Sequence, residues 1–216
     1  MLVKICGITR LEDARAARQY GADMIGFVFA DSRRRIEVRE AARIAQEVRG
    51  IGKAGVFVDQ PLEEVRQIAV QCQLDYIQLS GGEPAEYCRQ LNRPVIKAVR
   101  IGSGEPDREG WESFPADWLL FDSFVPGQAG GSGRTFDWAG LREITRRISK
   151  PFLVAGGLNG VNVPEAINIL RPYGVDVSSG VETDGVKDQA KIRDFILSAK
   201  AAKTAKEGSH ANPNCR

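Results

Sequence analysis

The chain has 216 residues and a formal net charge of +2, with 43% hydrophobic and 27% charged residues. That length suits one large domain or two small ones, and the composition is ordinary for a globular protein. The near-neutral charge excludes an electrostatic case for nucleic acid or a membrane surface.

Short apolar runs alternate with segments of helical period. Leu2 to Cys6 reads as a strand, and Thr9-Arg10-Leu11-Glu12 reads as a capping box opening a helix to about Tyr20. Gly21 then stops that helix from the C′ position. Met24 to Phe29 is the second strand, Val38 to Val48 the second helix and Ala54 to Val58 the third strand. Pro61, at a first helical position, opens a helix to about Cys72. Strand Tyr76 to Leu79, helix Pro84 to Leu91 and strand Val95 to Val99 follow. Gly102 to Ala116 carries only a short helix, Trp118 to Phe121 is a strand and Trp138 to Ile148 its helix. Phe152 to Ala155 and Val175 to Val177 are the last strands, with helix Pro164 to Leu170 between them and a final helix from Asp188 to about Ala202.

The strands are near-continuously apolar, which implies burial on both faces and hence a parallel sheet covered by helices. Eight strand–helix units in roughly 200 residues fit a single-domain closed (β/α)₈ barrel over residues 1–202. The competitor is a doubly wound open sheet, but no GxGxxG follows the first strand. Residues 203–216, KTAKEGSHANPNCR, have no apolar period and read as a disordered tail holding His210 and Cys215. No CxxC pair accompanies the four cysteines and one histidine, so no zinc site is expected. The start MLVKICGITR has no signal-peptide pattern, and no run approaches a membrane span. A reducing cytoplasm with free thiols is the expectation.

A barrel places its chemistry at the C-terminal ends of its strands. Those junctions carry Cys6-Gly7, Ser32-Arg33-Arg34-Arg35, Asp59, Gln78 with Ser80-Gly81-Gly82, Arg100, and Asp122 followed by the glycine-rich loop Pro126 to Gly133. The last two junctions carry Gly156-Gly157 and Ser178-Ser179-Gly180. Loops after strands seven and eight often bind phosphate through backbone N–H groups, so these two are read as a phosphate site rather than as tight turns alone. Cys6 is evenly balanced between a packing residue and a functional thiol, whereas Cys72 and Cys88 sit at core spacing on helices. Asp122 either caps the next loop or acts as an acid opposite a base. Arg34 belongs to a solvated turn or recognises a carboxylate in its plane.

At this point the residues coincide with a family. Val3 to Thr9, Ala22 to Phe29, Asp75 to Leu79, Leu120 to Ser123, Gly130 to Trp138, Ala155 to Asn159, Val175 to Glu182 and Gly185 to Asp188 together resemble the phosphoribosylanthranilate isomerases of tryptophan biosynthesis. The resemblance runs in order from about residue 2 to residue 200. It implies a cofactor-free Amadori rearrangement of N-(5-phosphoribosyl)anthranilate on a (β/α)₈ barrel. On this resemblance Asp122 is the general acid and Cys6 the base that takes the C2′ proton. Arg34 holds the anthranilate carboxylate, and Gly157, Ser178, Ser179 and Gly180 hold the phosphate, beside Gly156 from the junction reading. The partner implied is the small phosphosugar; the chain is read as a monomer by default, with a dimer as the alternative, and no metal and no catalytic lysine is assigned.

Two departures stand out. The family commonly shows Gln-Leu-His-Gly where this chain reads Gln78-Leu79-Ser80-Gly81. Its arginine loop usually reads Ser-Pro-Arg, against Ser32-Arg33-Arg34 here, so Arg34 and Arg35 both stay open as the carboxylate partner, with Arg34 aligning better. The related histidine-pathway isomerase carries aspartate where this chain has Cys6, and indoleglycerol-phosphate synthase relies on lysines at junctions that here carry none. From another class, an inactive barrel acting as a scaffold or regulator would have no reason to keep both Cys6 and Asp122.

Overall fold

The computed structural model describes residues 1–101, 108–123 and 138–208, with side chains described for all but 108, 109, 123 and 203–208. Strands β1 (Leu2–Cys6), β2 (Met24–Val28), β3 (Gly52–Phe57), β4 (Tyr76–Leu79), β5 (Val95–Ile101), β6 (Trp118–Ser123), β7 (Phe152–Val154) and β8 (Gly174–Val177) close into one parallel barrel in sequence order. Closure runs through β1, where Ile5 pairs with Ile25 of β2 on one side and with Val177 of β8 on the other. The open doubly wound alternative is therefore excluded.

Helices α1 (Leu11–Gln19), α2 (Val38–Glu47), α3 (Leu62–Gln71), α4 (Ala85–Arg89), α5 (Arg108–Ser113), α6 (Trp138–Thr145), α7 (Val163–Leu170) and α8 (Gln189–Gly208) cover the outside. Side chains of a strand alternate between faces. Val3, Ile5, Ile25, Phe27, Phe57 and Phe121 point outward into the main core against Ala14, Ala17, Ile44, Val65, Ile68 and Phe195 of the helices. The opposite parity fills the barrel, with Met24, Ala54, Ile96, Leu120 and Leu153 in one apolar cluster. Cys6, Val28, Ala30 and Val56 form a second cluster at the mouth. No described helix is long and apolar enough to cross a membrane.

Local rules explain most boundaries. Gly21 has φ 93° and donates to the Arg18 carbonyl while Ala22 donates to Ala17, a Schellman close to α1. Gln73 closes α3 in the same way with φ 48°, at the cost a side chain bears in that region. Three expectations need correction. The capping box at Thr9 does not form: Arg10 is the N-cap, without a side-chain capping bond. Its guanidinium instead grips the Asp13 carboxylate through two bonds of 2.8 Å, so the fork replaces the box. Pro61 is the N-cap of α3 rather than its first helical residue. The last helix continues to Gly208, beyond the end expected at Ala202, while residues 209–216, with His210 and Cys215, lie outside the described residues.

A two-stranded antiparallel hairpin follows β8 and was not expected. It comprises β9 (Glu182–Thr183) and β10 (Val186–Lys187), turned by Asp184 and Gly185 at φ 50° and 81°. Positive φ at both central positions is what an Asp-Gly turn of the primed kind requires. The pairing sets Lys187 opposite Glu182.

Candidate active site

The barrel's C-terminal mouth opens into a cavity of about 200 Å³. Cys6, Arg34, Asp122, Gly156, Gly157, Ser178 and Ser179 all line it. Gly180 does not, although it follows Ser179 in the one-turn 3₁₀ helix Ser179–Val181. The glycine-rich loop Pro126 to Gly133 lies outside the described residues.

Cys6 ends β1 on the inward parity and is 7% exposed. Two residues earlier on the same face, Lys4 is fully buried in the barrel interior. Its ammonium donates to Gln78 Oε1 at 2.9 Å and to Asp176 Oδ1 at 3.0 Å. Burial opposes the charge on Lys4, but Asp176 and Cys6 outweigh it and hold the lysine above its ordinary value. Burial pushes the Cys6 thiol up, Lys4 pulls it down, Asp176 pushes it up again and Lys187 pulls it down. Burial prevails, so the thiol stands above the usual range. Cys72 and Cys88 differ in kind. Both are buried away from the mouth, and burial pushes each up to about 11.

Asp122 lies near the end of β6, half-buried, with Arg100 of β5 as its register partner and also on the cavity. Ser80, where the family commonly has histidine, accepts a bond from Gln78 Nε2 at 3.1 Å and lines the same wall.

Burial separates the three arginines of that loop. Arg34 is 9% exposed and faces the cavity, whereas Arg33 and Arg35 are exposed and do not line it. Arg34 is also already engaged. Its Nε and Nη2 donate to the two carboxylate oxygens of Glu182 at 2.6 and 3.0 Å. Glu182 further accepts from Lys187 Nζ at 2.8 Å and from Arg33 at 2.8 Å. That network presents Arg34 by its remaining N–H groups, in a fixed orientation.

The last two junctions are joined by close packing. Gly156 and Gly157 have φ 87° and 66°, a region that frees them for close backbone approach. A Cβ on Gly180 would run into the Leu158 carbonyl oxygen, so only glycine lets the two loops meet. Among the described residues, no intramolecular hydrogen bond is donated by the backbone N–H of Gly156, Gly157, Ser178 or Ser179. The Ser178 hydroxyl, expected to help hold the phosphate, has another commitment. It donates to the Cys6 carbonyl at 3.2 Å and accepts from Lys187 at 3.3 Å. Loop seven is braced in turn by Asn162, whose Nδ2 donates to the Gly157 carbonyl at 3.0 Å.

Sequence reasoning missed Lys4, Gln78 as its partner, Asp176, Glu182 and Lys187. A signal for the first three existed: each is a polar residue in the middle of an apolar strand, on the inward parity of its strand. The Asp184-Gly185 pair was the signal for the hairpin that delivers the other two.

A parallel barrel with an acid, a thiol and an anion-ready pair of loops around one mouth defines the class: a phosphosugar enzyme of the (β/α)₈ kind. The particular family follows from comparison. The family model described as N-(5′-phosphoribosyl)anthranilate (PRA) isomerase matches residues 3–198, and the chain belongs to that family. A Desulforudis audaxviator protein named N-(5′-phosphoribosyl)anthranilate isomerase is 49% identical over 203 residues, covering 93% of this chain and 98% of its own. A Bacillus cereus protein of the same name is 47% identical over 199 residues, covering 92% and 98%. Among solved structures, Thermotoga maritima phosphoribosyl anthranilate isomerase superposes with TM-score 0.84 at 43% identity, covering 93% of this chain and 99% of that one. Another, at TM-score 0.81 and 40% identity, covers 93% and 100% and holds reduced 1-(o-carboxyphenylamino)-1-deoxyribulose 5-phosphate.

Proposed function

We propose that this chain converts N-(5-phosphoribosyl)anthranilate to 1-(2-carboxyphenylamino)-1-deoxyribulose 5-phosphate, with Asp122 as general acid and Cys6 as general base. The carrying observation is that both side chains open into one cavity whose rim holds unused backbone N–H donors.

The steps follow from the chemistry. Asp122 protonates the furanose ring oxygen as the bond from that oxygen to C1′ breaks, and the substrate's own nitrogen takes up the positive charge as an iminium. The iminium acidifies the proton on C2′. The Cys6 thiolate removes it, the electrons settle as an enolamine, and tautomerisation gives the ketone. General acid–base groups of this kind each contribute about a hundredfold or more. The free N–H groups of Gly156, Gly157 and Ser179 suit the phosphate, with Gly180 closing the loop behind them. Ser178 serves that site by its backbone N–H and ties it to the base through the Cys6 carbonyl. Arg34, held by Glu182, meets the anthranilate carboxylate with its remaining donors.

The thiol must ionise before it acts, and its raised value makes that step unfavourable near neutrality. Each unit of separation between its value and the working pH costs about 1.4 kcal/mol. Membership of a biosynthetic family supports a cytoplasmic enzyme, read as a monomer by default.

The test is expression in a tryptophan auxotroph lacking this isomerase, with substrate made in situ for assay. Rescue by the wild-type chain is expected, with kcat/KM falling by roughly a hundredfold or more in Cys6→Ala and in Asp122→Asn. No rescue by wild type, or equal rescue by Cys6→Ala, overturns the assignment.

A further inference from the structure

We propose that Lys4 is a positioning residue for the reaction: its buried ammonium, shared between Asp176 and Cys6, is the counter-charge on which the Cys6 thiolate depends. The inference rests on the reading of Cys6 as base and adds a residue that the mechanism does not otherwise use.

Lys4 cannot be a catalytic group itself. It is fully buried, and it is absent from the cavity lining that includes Cys6, Gln78 and Asp176. It sits directly beneath the floor of the site. Three observations place it against the thiol. Lys4 and Cys6 share the inward parity of β1. Gly26, paired with Cys6 across β1 and β2, leaves a gap that both side chains fill: a Cβ there would stand 2.9 Å from Cys6 Sγ and 3.3 Å from Lys4 Cε. Finally, the ammonium donates to Gln78 and Asp176, which leaves one of its three protons for the Cys6 sulfur.

The charges around Cys6 come from several elements. Lys4 lies on β1, Asp176 on β8 and Lys187 on β10, and Arg34, Arg100 and Asp122 also face the cavity. Lys187 is already matched at 2.8 Å by Glu182, which Arg34 also holds. Lys4 has a single carboxylate, Asp176, at 3.0 Å. When Cys6 ionises, Lys4 is therefore the nearby buried cation with charge still to be met from the thiol side. In a low-dielectric interior that interaction is far stronger than between exposed groups. Keeping the ammonium charged out of water is costly, and the thiolate is a second anion beside Asp176 that shares that charge.

The experiment reads Cys6 directly, whether or not it is the base. Iodoacetamide alkylation of Cys6, located by mass spectrometry, is followed against pH in a Cys215→Ser background. Cys72 and Cys88, pushed up to about 11, react little in that range. Lys4→Gln removes the charge while keeping a polar side chain with N–H donors. Asp176→Asn removes the competing anion and leaves Lys4 wholly to the thiol. Near pH 8, the proposal expects alkylation to slow about tenfold in Lys4→Gln and to quicken about tenfold in Asp176→Asn, a unit of apparent pKa each way. Circular dichroism checks that each variant is folded. If Lys4→Gln does not fold, the acceleration in Asp176→Asn decides. Unchanged rates, or shifts in the same direction for both variants, overturn the proposal. Failure of Cys6→Ala to lose activity would instead sink the base assignment and leave this result standing.

Discussion

At the residue scale, Glu182 shows how little of a site is its reacting atoms. Burial opposes its ionisation, but bonds from Arg34 and Lys187 outweigh burial and hold the carboxyl below its usual value. A value depressed on folding stabilises the protein above the unfolded value, about pH 4.5, and that contribution fades as pH falls through the folded one. Glu182→Gln is therefore expected to cost about 3 kcal/mol at neutral pH, because two buried cations lose their anion. The deficit should shrink as denaturation is repeated below about pH 4.5. The same substitution frees the Arg34 fork, so KM should rise more than kcat falls. A pH-independent deficit, or a change confined to kcat, would contradict this reading. The places of Cys6 and Asp122 at the mouth were legible in the sequence, since each stands at or near the end of an apolar strand, whereas their roles came only with the resemblance. Glu182 was not. Two residues past Ser179-Gly180 it reads as a solvated loop acid until the hairpin folds it back.

At the element scale, the odd strands share one device. The residue before β2, β4 and β6 is an aspartate, and each accepts a backbone N–H from the preceding strand. Asp23 takes Val3 at 2.8 Å, Asp75 takes Lys53 at 2.9 Å and Asp117 takes Val95 at 2.7 Å. Before β8 stand Pro172 and Tyr173: Tyr173 keeps the backbone bond to the preceding strand that the three aspartates also make, here to the Phe152 carbonyl at 2.9 Å, but supplies no carboxylate. These bonds pin the strand starts at the end of the barrel away from the site. Asp117→Ala should cost about 1 kcal/mol by chemical denaturation and leave kcat/KM unchanged. A larger effect on kcat/KM than on stability would contradict the separation of the two ends. Strand positions were legible from apolar runs, and β4 matched residue for residue. Helix starts were less so. Thr9 offers a hydroxyl at the expected spacing, yet Arg10 reaches Asp13 and also the Lys187 carbonyl at 2.9 Å, a contact 177 residues away that no local pattern encodes.

At the scale of the whole molecule, the barrel divides its interior by depth. Apolar residues fill the lower part, a buried Lys4–Gln78–Asp176 group crosses the middle, and Cys6 with its neighbours forms the mouth. The closed fold was legible from eight apolar strands. The depth order was not, because both parities of a parallel strand are buried and polarity no longer marks the surface. Closure is what brings Lys4 of β1 and Asp176 of β8 into contact, 172 residues apart. The central claim is that Cys6, raised by burial and sustained by Lys4, is the base. It is tested most directly by the pH profile of kcat/KM for wild type and Cys6→Asp, between about pH 6 and pH 10. The account predicts a wild-type rate that climbs towards the alkaline end as the thiol ionises. It predicts a slower Cys6→Asp enzyme without that climb, since a carboxylate is already ionised. A wild-type profile flat across the range, or the same climb in both proteins, would contradict it.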